Sequence, residues 1–597
     1  MKKILIGWRA CRAIVFVLVF VFVPTSAQVS PNGKIKASIS HQNTIKVEYK
    51  NHGKWLHIFT MESNVFTMSQ PQHKAIEYNM LTGKRHHCTN AYNESTYFDD
   101  DSKPILNVRV YNDGIAVKGA IGTVSLENAD NNWLQRWTDS YEEFFPKNRI
   151  VKENQRFGYP ALFEYEAGKQ AVFVLISESN IHSNESGSSM HAVAGKNRFD
   201  ILPDGDIGGW QTFIIGSLAD VVSSTLITDN SDASTMTDVS WIEPGVASWV
   251  YWAYNHGSND FNIIKKYVDF AATLKLKYVL IDAEWDGMKD GKTIVDAVRY
   301  AIGKGVKPMI WYNSSVGWVN GAPGPKYRLN KPEDREKEFT WCESIGVAGV
   351  KIDFFSGDTN MNMAYMIDLL KCAAKHHLLV NFHGATIPRG WQRTYPNLMS
   401  TEGVYGAEWY NNVPTFTPIA ASHNATLPFT RNVVGSMDYT PCAFSDSQHP
   451  HITTHAHELA LTVLYESGIQ HLADKPESFL AQPQQVSDYL TNLPTAWDDT
   501  RLLAGYPGEY AVIARRKGEV WYIAGINGTD KEKTINVNTK PLGITGKSVR
   551  IFEDSNQASS PWKITDTIKM PQTFIVPPRG GFLLVVKQKG ASEIFRV

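Results

Sequence analysis

The stretch Val347-Ala-Gly-Val-Lys-Ile-Asp-Phe-Phe355 constrains the fold more than any other part of this chain. It is short, apolar and rich in β-branched and aromatic residues, so it reads as a strand buried on both faces of a parallel sheet. A lone carboxylate, Asp353, sits near its C-terminal end. Packing gives an acid no role there. In a βα-barrel that end of each strand faces the active site. Asp353 is therefore the first candidate for a reacting group, and for a nucleophile.

The surrounding sequence supports a barrel. From about Trp241 to Leu503, strand-like and helix-like segments alternate. Strands are predicted at 247–253, 278–282, 307–312, 347–355, 378–382 and 398–402, with 468–472 closing the series. Helices are predicted at 261–274, 294–302, 332–345, 361–376 and 486–493. Roughly seven or eight such units fit a TIM barrel. No Gly-x-Gly-x-x-Gly turn follows any strand, which counts against a nucleotide-binding open sheet. On either side the pattern is β, with short strands such as 44–49, 106–111 and 170–175 bounded by turn residues. The expected order is a leader at 1–27, an N-terminal β-sandwich at 28–239, a (β/α)8 TIM barrel at 240–503 and a C-terminal β-sandwich at 504–597.

The leader is read from Lys2, Lys3, Arg9 and Arg12, the apolar run Ala13 to Val23, and the small residues Thr25-Ser26-Ala27. That run is too short for a comfortable membrane span. The expectation is an exported, periplasmic or secreted protein without a membrane span. Of the 5 cysteines, Cys11 lies in the leader. Cys88, Cys342, Cys372 and Cys442 are scattered, against a disulfide framework. A formal net charge of −1 gives no bulk attraction for nucleic acid. The 17 Trp fit both sugar-stacking sites and a large β-rich core.

Acids gather at the predicted strand ends: Asp282, Glu284 and Asp286 after the second, Asp353 and Asp358 after the fourth, Glu402 and Glu408 after the sixth. Trp252, Trp285, Trp311, Tyr312 and Trp409 lie at the same ends. Paired acids beside aromatic rings suit glycoside hydrolysis, where one carboxyl protonates the leaving oxygen and the other attacks or stabilises the sugar centre. Helix capping and ion pairing are the alternative roles for any single acid. Glu402 and Glu408 flank a glycine-containing turn and need a shared proton or a hard cation such as calcium between them. His383 and Arg393 follow the fifth strand and are candidates to bind sugar hydroxyls. The tract His449, His451, His455 and His457 has spacing that would permit zinc, without a cysteine partner.

Several long runs resemble glycoside hydrolase family 97: 381–385 (Asn-Phe-His-Gly-Ala), 388–397, 401–409 (Thr-Glu-Gly-Val-Tyr-Gly-Ala-Glu-Trp) and 427–441. The domain order matches as well. The resemblance implies a glycosidase with two branches. The inverting α-glucosidase branch carries a glutamate directly after the histidine that matches His383; here that position is Gly384. The retaining branch, typified by α-galactosidases, carries an aspartate nucleophile where Asp353 stands. By the same resemblance Glu408 is the general acid/base. Calcium ligands are Glu402, Glu408 and a sandwich-domain glutamate, Glu142 or else Glu143. Trp252, Asp282, Trp311, His383 and Arg393 are expected to line the sugar site. The partner is a small or oligomeric substrate ending in α-galactose, and the protein a monomer or weak homo-oligomer. α-Glucosides, β-L-arabinopyranosides and a non-catalytic carbohydrate-binding role are the alternatives.

Overall fold

The computed structural model describes residues 26–588 except 169, 253, 255, 290, 545–546, 556 and 558–559. Residues 1–25, most of the expected leader, lie outside them. Among the described residues no helix is long and apolar enough to cross a membrane.

The N-terminal strands join into one 16-stranded antiparallel sheet. That sheet closes over itself. Five strands lie between Lys54–Glu62 and Trp210–Gly216 in the hydrogen-bonded order, yet Phe59 and Phe213 stack at 4.6 Å. Folding the sheet this way gives its apolar alternate residues a face to bury against.

The central domain is a parallel barrel of seven strands: Gly245–Val250, Tyr278–Ile281, Lys307–Asn313, Gly349–Asp353, Leu379–Phe382, Leu398–Thr401 and Ile469–Leu472. Each falls within or beside its predicted span. The eighth strand is reduced to a single parallel bridge between Thr401 and Met437. Hydrogen bonds from Met437 N to Glu466 O (2.9 Å) and Gly468 N to Met399 O (3.1 Å) close the ring beside it. The covering helices obey local rules. Pro332–Ile345 begins on a proline and stops at Gly346, whose φ of +92° suits only a residue without Cβ. Asn360–Lys375 is capped by the Thr359 hydroxyl.

The C-terminal domain pairs a six-stranded sheet with a two-stranded ribbon. Strand Tyr510–Lys517 shows how it is held. Ala511 and Ile513 join the main core shared with the barrel, while Val512 and Ala514 point into a second core beneath the ribbon residues Ile535 and Phe574.

A buried cation fastens the first two domains. Arg389, fully buried, donates to Glu178 Oε1 and to Asp358 Oδ1, each at 2.7 Å. A loop of the N-terminal domain also reaches the barrel mouth. Asp139 O accepts from Gly357 N at 2.9 Å, and the Phe144 ring meets Tyr405 edge-on at 4.8 Å.

Candidate active site

The ends of strands four, five and six are tied level with one another. His383 N donates to Ile352 O (2.9 Å) and Glu402 N to Phe382 O (2.8 Å). This lines up Asp353, His383 and Glu402 along one arc of the barrel mouth.

Lys351 and Asp353 are two residues apart on one strand, so both point inward. The Lys351 ammonium, almost fully buried, donates to Asp282 Oδ2 at 3.0 Å and lies 3.9 Å from Asp353 Oδ2. Burial pushes this ammonium down, but Asp282 and then Asp353 outweigh it and hold it above its ordinary value. Asp282 also accepts from Trp249 Nε1 (2.8 Å) and Ala283 N (2.8 Å). Asp353 accepts from Trp311 Nε1 at 3.0 Å and from Phe354 N at 2.7 Å. Burial raises the Asp353 carboxyl, and Lys351 and His383 hold that rise back. Phe354 itself sits at φ +65°, a costly conformation for a residue with a Cβ, directly after the acid.

Further round the mouth, Glu402 and Glu408 stand close to other acids. Glu402 Oε2 accepts from Gly384 N at 2.7 Å. Its Oε1 lies 3.2 Å from His383 Nδ1 without being aligned for a hydrogen bond, and is buried without a donor. His383, Glu402 and Glu408 each offer a ligand atom within 4.8 Å of the others. From the N-terminal domain, Glu142 Oε1 accepts from Trp409 Nε1 at 2.6 Å. Burial pushes Glu408 up to about 8, with the Glu402 charge adding to it. Glu142 is raised well above the usual carboxylate range by burial and by the charges of Glu402 and Glu408. Glu143 is committed elsewhere, to Arg136 Nε at 2.9 Å and its own chain at Phe144 N.

Asp438 and His471 lie under His383. Asp438 Oδ2 accepts from Asn381 Nδ2 (2.6 Å) and lies 2.8 Å from both His383 Nε2 and His471 Nδ1. Burial would raise Asp438, but His471 and His383 pull it well below the carboxylate range. His383 is raised well above its ordinary value: burial opposes the charge, and Glu402 with Asp438 overcome it.

Of the residues expected at the site, Asp353, Glu408, Glu402, Glu142, His383, Asp282 and Trp311 are brought together. Trp252 is fully buried beneath it, where its Nε1 donates to Ala407 O at 3.2 Å and supports the turn carrying Glu408. Arg393 corrects the expectation. Its Nη1 donates to the carbonyls of Thr228 and Asp229, both at 3.0 Å, and the guanidinium lies 3.9 Å over the Tyr78 ring. It is a domain-junction residue, spent on backbone and ring, and not part of this group. The histidine tract does not assemble either. His451 faces Asp446, His455 stacks on Phe444 and His457 faces Asn424. Among the described residues, none of the four belongs to a group able to hold a metal. Lys351, Asp438 and His471 were not singled out from sequence. The i, i+2 spacing of Lys351 and Asp353 was the available signal; for Asp438 and His471 there was none, because their partners lie 33 to 57 residues away.

Acids and tryptophans gathered at the mouth of a parallel barrel suit the hydrolysis of glycosidic bonds. Family models described as glycoside hydrolase 97, its N-terminal domain, and its C-terminal, oligomerisation domain match residues 241–404, 29–232 and 496–587. The probable retaining alpha-galactosidase of Streptomyces bingchenggensis is 37% identical over 452 residues, covering 70% of this chain and 67% of that protein. The retaining alpha-galactosidase of Bacteroides thetaiotaomicron is 28% identical over 533 residues, covering 77% and 76%. A solved beta-arabinopyranosidase superposes with a TM-score of 0.83 at 25% identity, over 94% of this chain and 99% of that one. A family 97 enzyme from Pseudoalteromonas sp. strain K8, in complex with panose, shares the fold with a TM-score of 0.80 at 20% identity, over the same shares. The chain belongs to glycoside hydrolase family 97 and is a glycoside hydrolase.

Proposed function

We propose that this enzyme is a retaining, exo-acting α-galactosidase that removes terminal α-D-galactose by double displacement. The observation that carries the mechanism is the fit between Gly384 and Asp353. Gly384 has φ +51°, and a Cβ there would fall 2.9 Å from Asp353 Oδ1 and 2.6 Å from Phe354 N. A glutamate at 384, the inverting arrangement, and the aspartate at 353 compete for the same space. This chain has the aspartate.

In the first step an Asp353 oxygen bonds to the anomeric carbon as the bond from that carbon to the leaving oxygen breaks, and Glu408 gives its proton to that oxygen. A β-galactosyl ester results. In the second step the Glu408 carboxylate takes a proton from water, the water oxygen bonds to the anomeric carbon from the α face, and the ester bond breaks to restore Asp353. The Trp311 N–H, the Phe354 N–H and the Lys351 ammonium hold Asp353 as an acceptor. Burial and the Glu402 charge raise the proton affinity of Glu408, which suits it to deliver the proton in the first step.

Glu142, Glu402 and Glu408 would hold calcium. The donor set is oxygen, and Glu402 has a buried oxygen with no hydrogen-bond donor, which fits a hard cation. When bound, calcium supplies positive charge to orient sugar hydroxyls. The leader-like N-terminus supports export to the periplasm or beyond. The description of the C-terminal family model supports a homo-oligomer.

Both named galactosidase relatives support galactose as the terminal sugar. The likeness to a beta-arabinopyranosidase favours one second reading, a β-L-arabinopyranosidase, since that sugar shares galactose's ring stereochemistry without its C6 group. Asp353→Gly tests the assignment. It should lower kcat on an activated α-galactoside by about a thousandfold or more, and added azide should restore turnover with β-galactosyl azide as product. Turnover close to wild type without azide would remove Asp353 from the mechanism.

A further inference from the structure

The loop that follows strand three, residues 314–330, is built onto the backbone of the proposed nucleophile. Ser314 N donates to Asp353 O, and the Ser314 hydroxyl to Phe354 O, both at 2.8 Å. Gly317 approaches the Phe354 carbonyl so closely that no Cβ could be placed there. The Phe354 ring then touches two tryptophans edge-on: Trp311 at 5.7 Å, whose N–H holds Asp353, and Trp318 at 4.9 Å.

Trp318 is unlike Trp249, Trp252, Trp285 and Trp311, which are buried. It is 53% exposed, with Val316 and Tyr327 exposed on the same loop. Its orientation is nevertheless fixed. Its Nε1 donates to Asn320 O at 2.8 Å, its carbonyl accepts from Asn313 Nδ2 at 3.2 Å, and Lys326 Nζ ties the adjoining Val319 O at 3.0 Å. A large ring held rigid with half its surface in water gains nothing for folding from the wet half. It is suited to a ligand that arrives with an apolar face, at little ordering cost.

We propose that Trp318 is the stacking platform for the leaving-group sugar, so that the substrate is an α-galactosyl oligosaccharide and the second sugar is read at this ring. The terminal sugar must sit over the Asp353 carboxyl, and its leaving group projects out of the barrel mouth. Trp318 is two ring contacts outward from the indole that holds that carboxyl. This inference rests on the glycosidase reading and adds to it a site for the second sugar.

The test compares two substrates in the full-length enzyme. One is a glycosyl fluoride, which places no sugar in the leaving-group position; the other is a disaccharide of the same terminal sugar. Wild type is first scored on α-galactosyl, α-glucosyl and β-L-arabinopyranosyl fluorides, and the pair is made with the sugar it cleaves fastest. Another sugar winning would overturn the galactosidase reading while leaving the Trp318 comparison intact. Trp318→Ala should lower kcat/KM about tenfold more on the disaccharide than on the fluoride, chiefly through KM. Trp318→Phe should recover most of that loss. An equal fall on both substrates would mean that Trp318 only props Phe354 and Asp353, and would overturn the proposal. No fall on either would overturn it as well.

Discussion

Around Asp353 both carboxylate oxygens have donors, from Trp311 and Phe354, and the Lys351 ammonium stands 3.9 Å away. Across the same mouth, Glu142, Glu402 and Glu408 crowd together near His383 and Lys351, with a buried Glu402 oxygen without a donor. Both places are desolvated, so burial alone cannot separate them. The difference is the order of the neighbouring charges: Lys351 and His383 come first at Asp353, and the Glu402 charge comes first at Glu408. Lys351 and His383 hold back the burial-driven rise of Asp353; the glutamate side needs either a proton or a metal. One barrel can thus hold a nucleophile and a proton donor within the same arc.

Three measurements would break or sharpen that contrast. The largest effect is expected from removing the built-in cation. Lys351→Met leaves Asp282 and Asp353 buried without it, which should cost roughly 3–5 kcal/mol of stability. Denaturant unfolding would read this, and a loss under about 1 kcal/mol would mean that Lys351 does not hold the pair. The next concerns the missing cation. Calcium at a hundred times its Kd should stabilise the metal-free protein by about 2.7 kcal/mol. In Glu402→Gln the metal-free Tm should rise, through relieved repulsion, and the calcium response should disappear. A calcium response as large in that variant as in wild type would move the metal elsewhere.

The third measurement is in pH. An ordinary glutamate titrates near 4.3, whereas Glu408 is pushed up to about 8. Between those values the folded chain holds a proton that the unfolded chain has lost. The resulting stability is therefore complete below the lower value and lost as pH rises through the upper one. Metal-free wild type should lose Tm between pH 5 and 8 more steeply than Glu408→Gln does. Parallel curves would place the raised proton on another group.

Much of this arrangement was legible in the chain. Asp353 could be read because an acid that ends an apolar strand has no packing reason to be there. Glu402 and Glu408 could be read as a pair because they stand six positions apart with two glycines between them. The barrel strands were visible for the same reason: each is a local apolar run. The eighth strand was not, because a single bridge at Met437 has no run to detect. Arg393 was misplaced because its position after strand five says nothing about Tyr78, more than 300 residues earlier, whose ring it covers. Asp438 escaped notice because its role exists only once two distant histidines converge on it. Glu142 came from family resemblance, and its position beside Trp409 depends on how two domains meet.

The central claim is that Asp353 attacks and Glu408 delivers the proton. Hydrolysis of p-nitrophenyl α-D-galactopyranoside followed by proton NMR tests it most directly. Galactose should appear first as the α-anomer and only later equilibrate. A first-formed β-anomer would mean inversion and would remove Asp353 as the nucleophile.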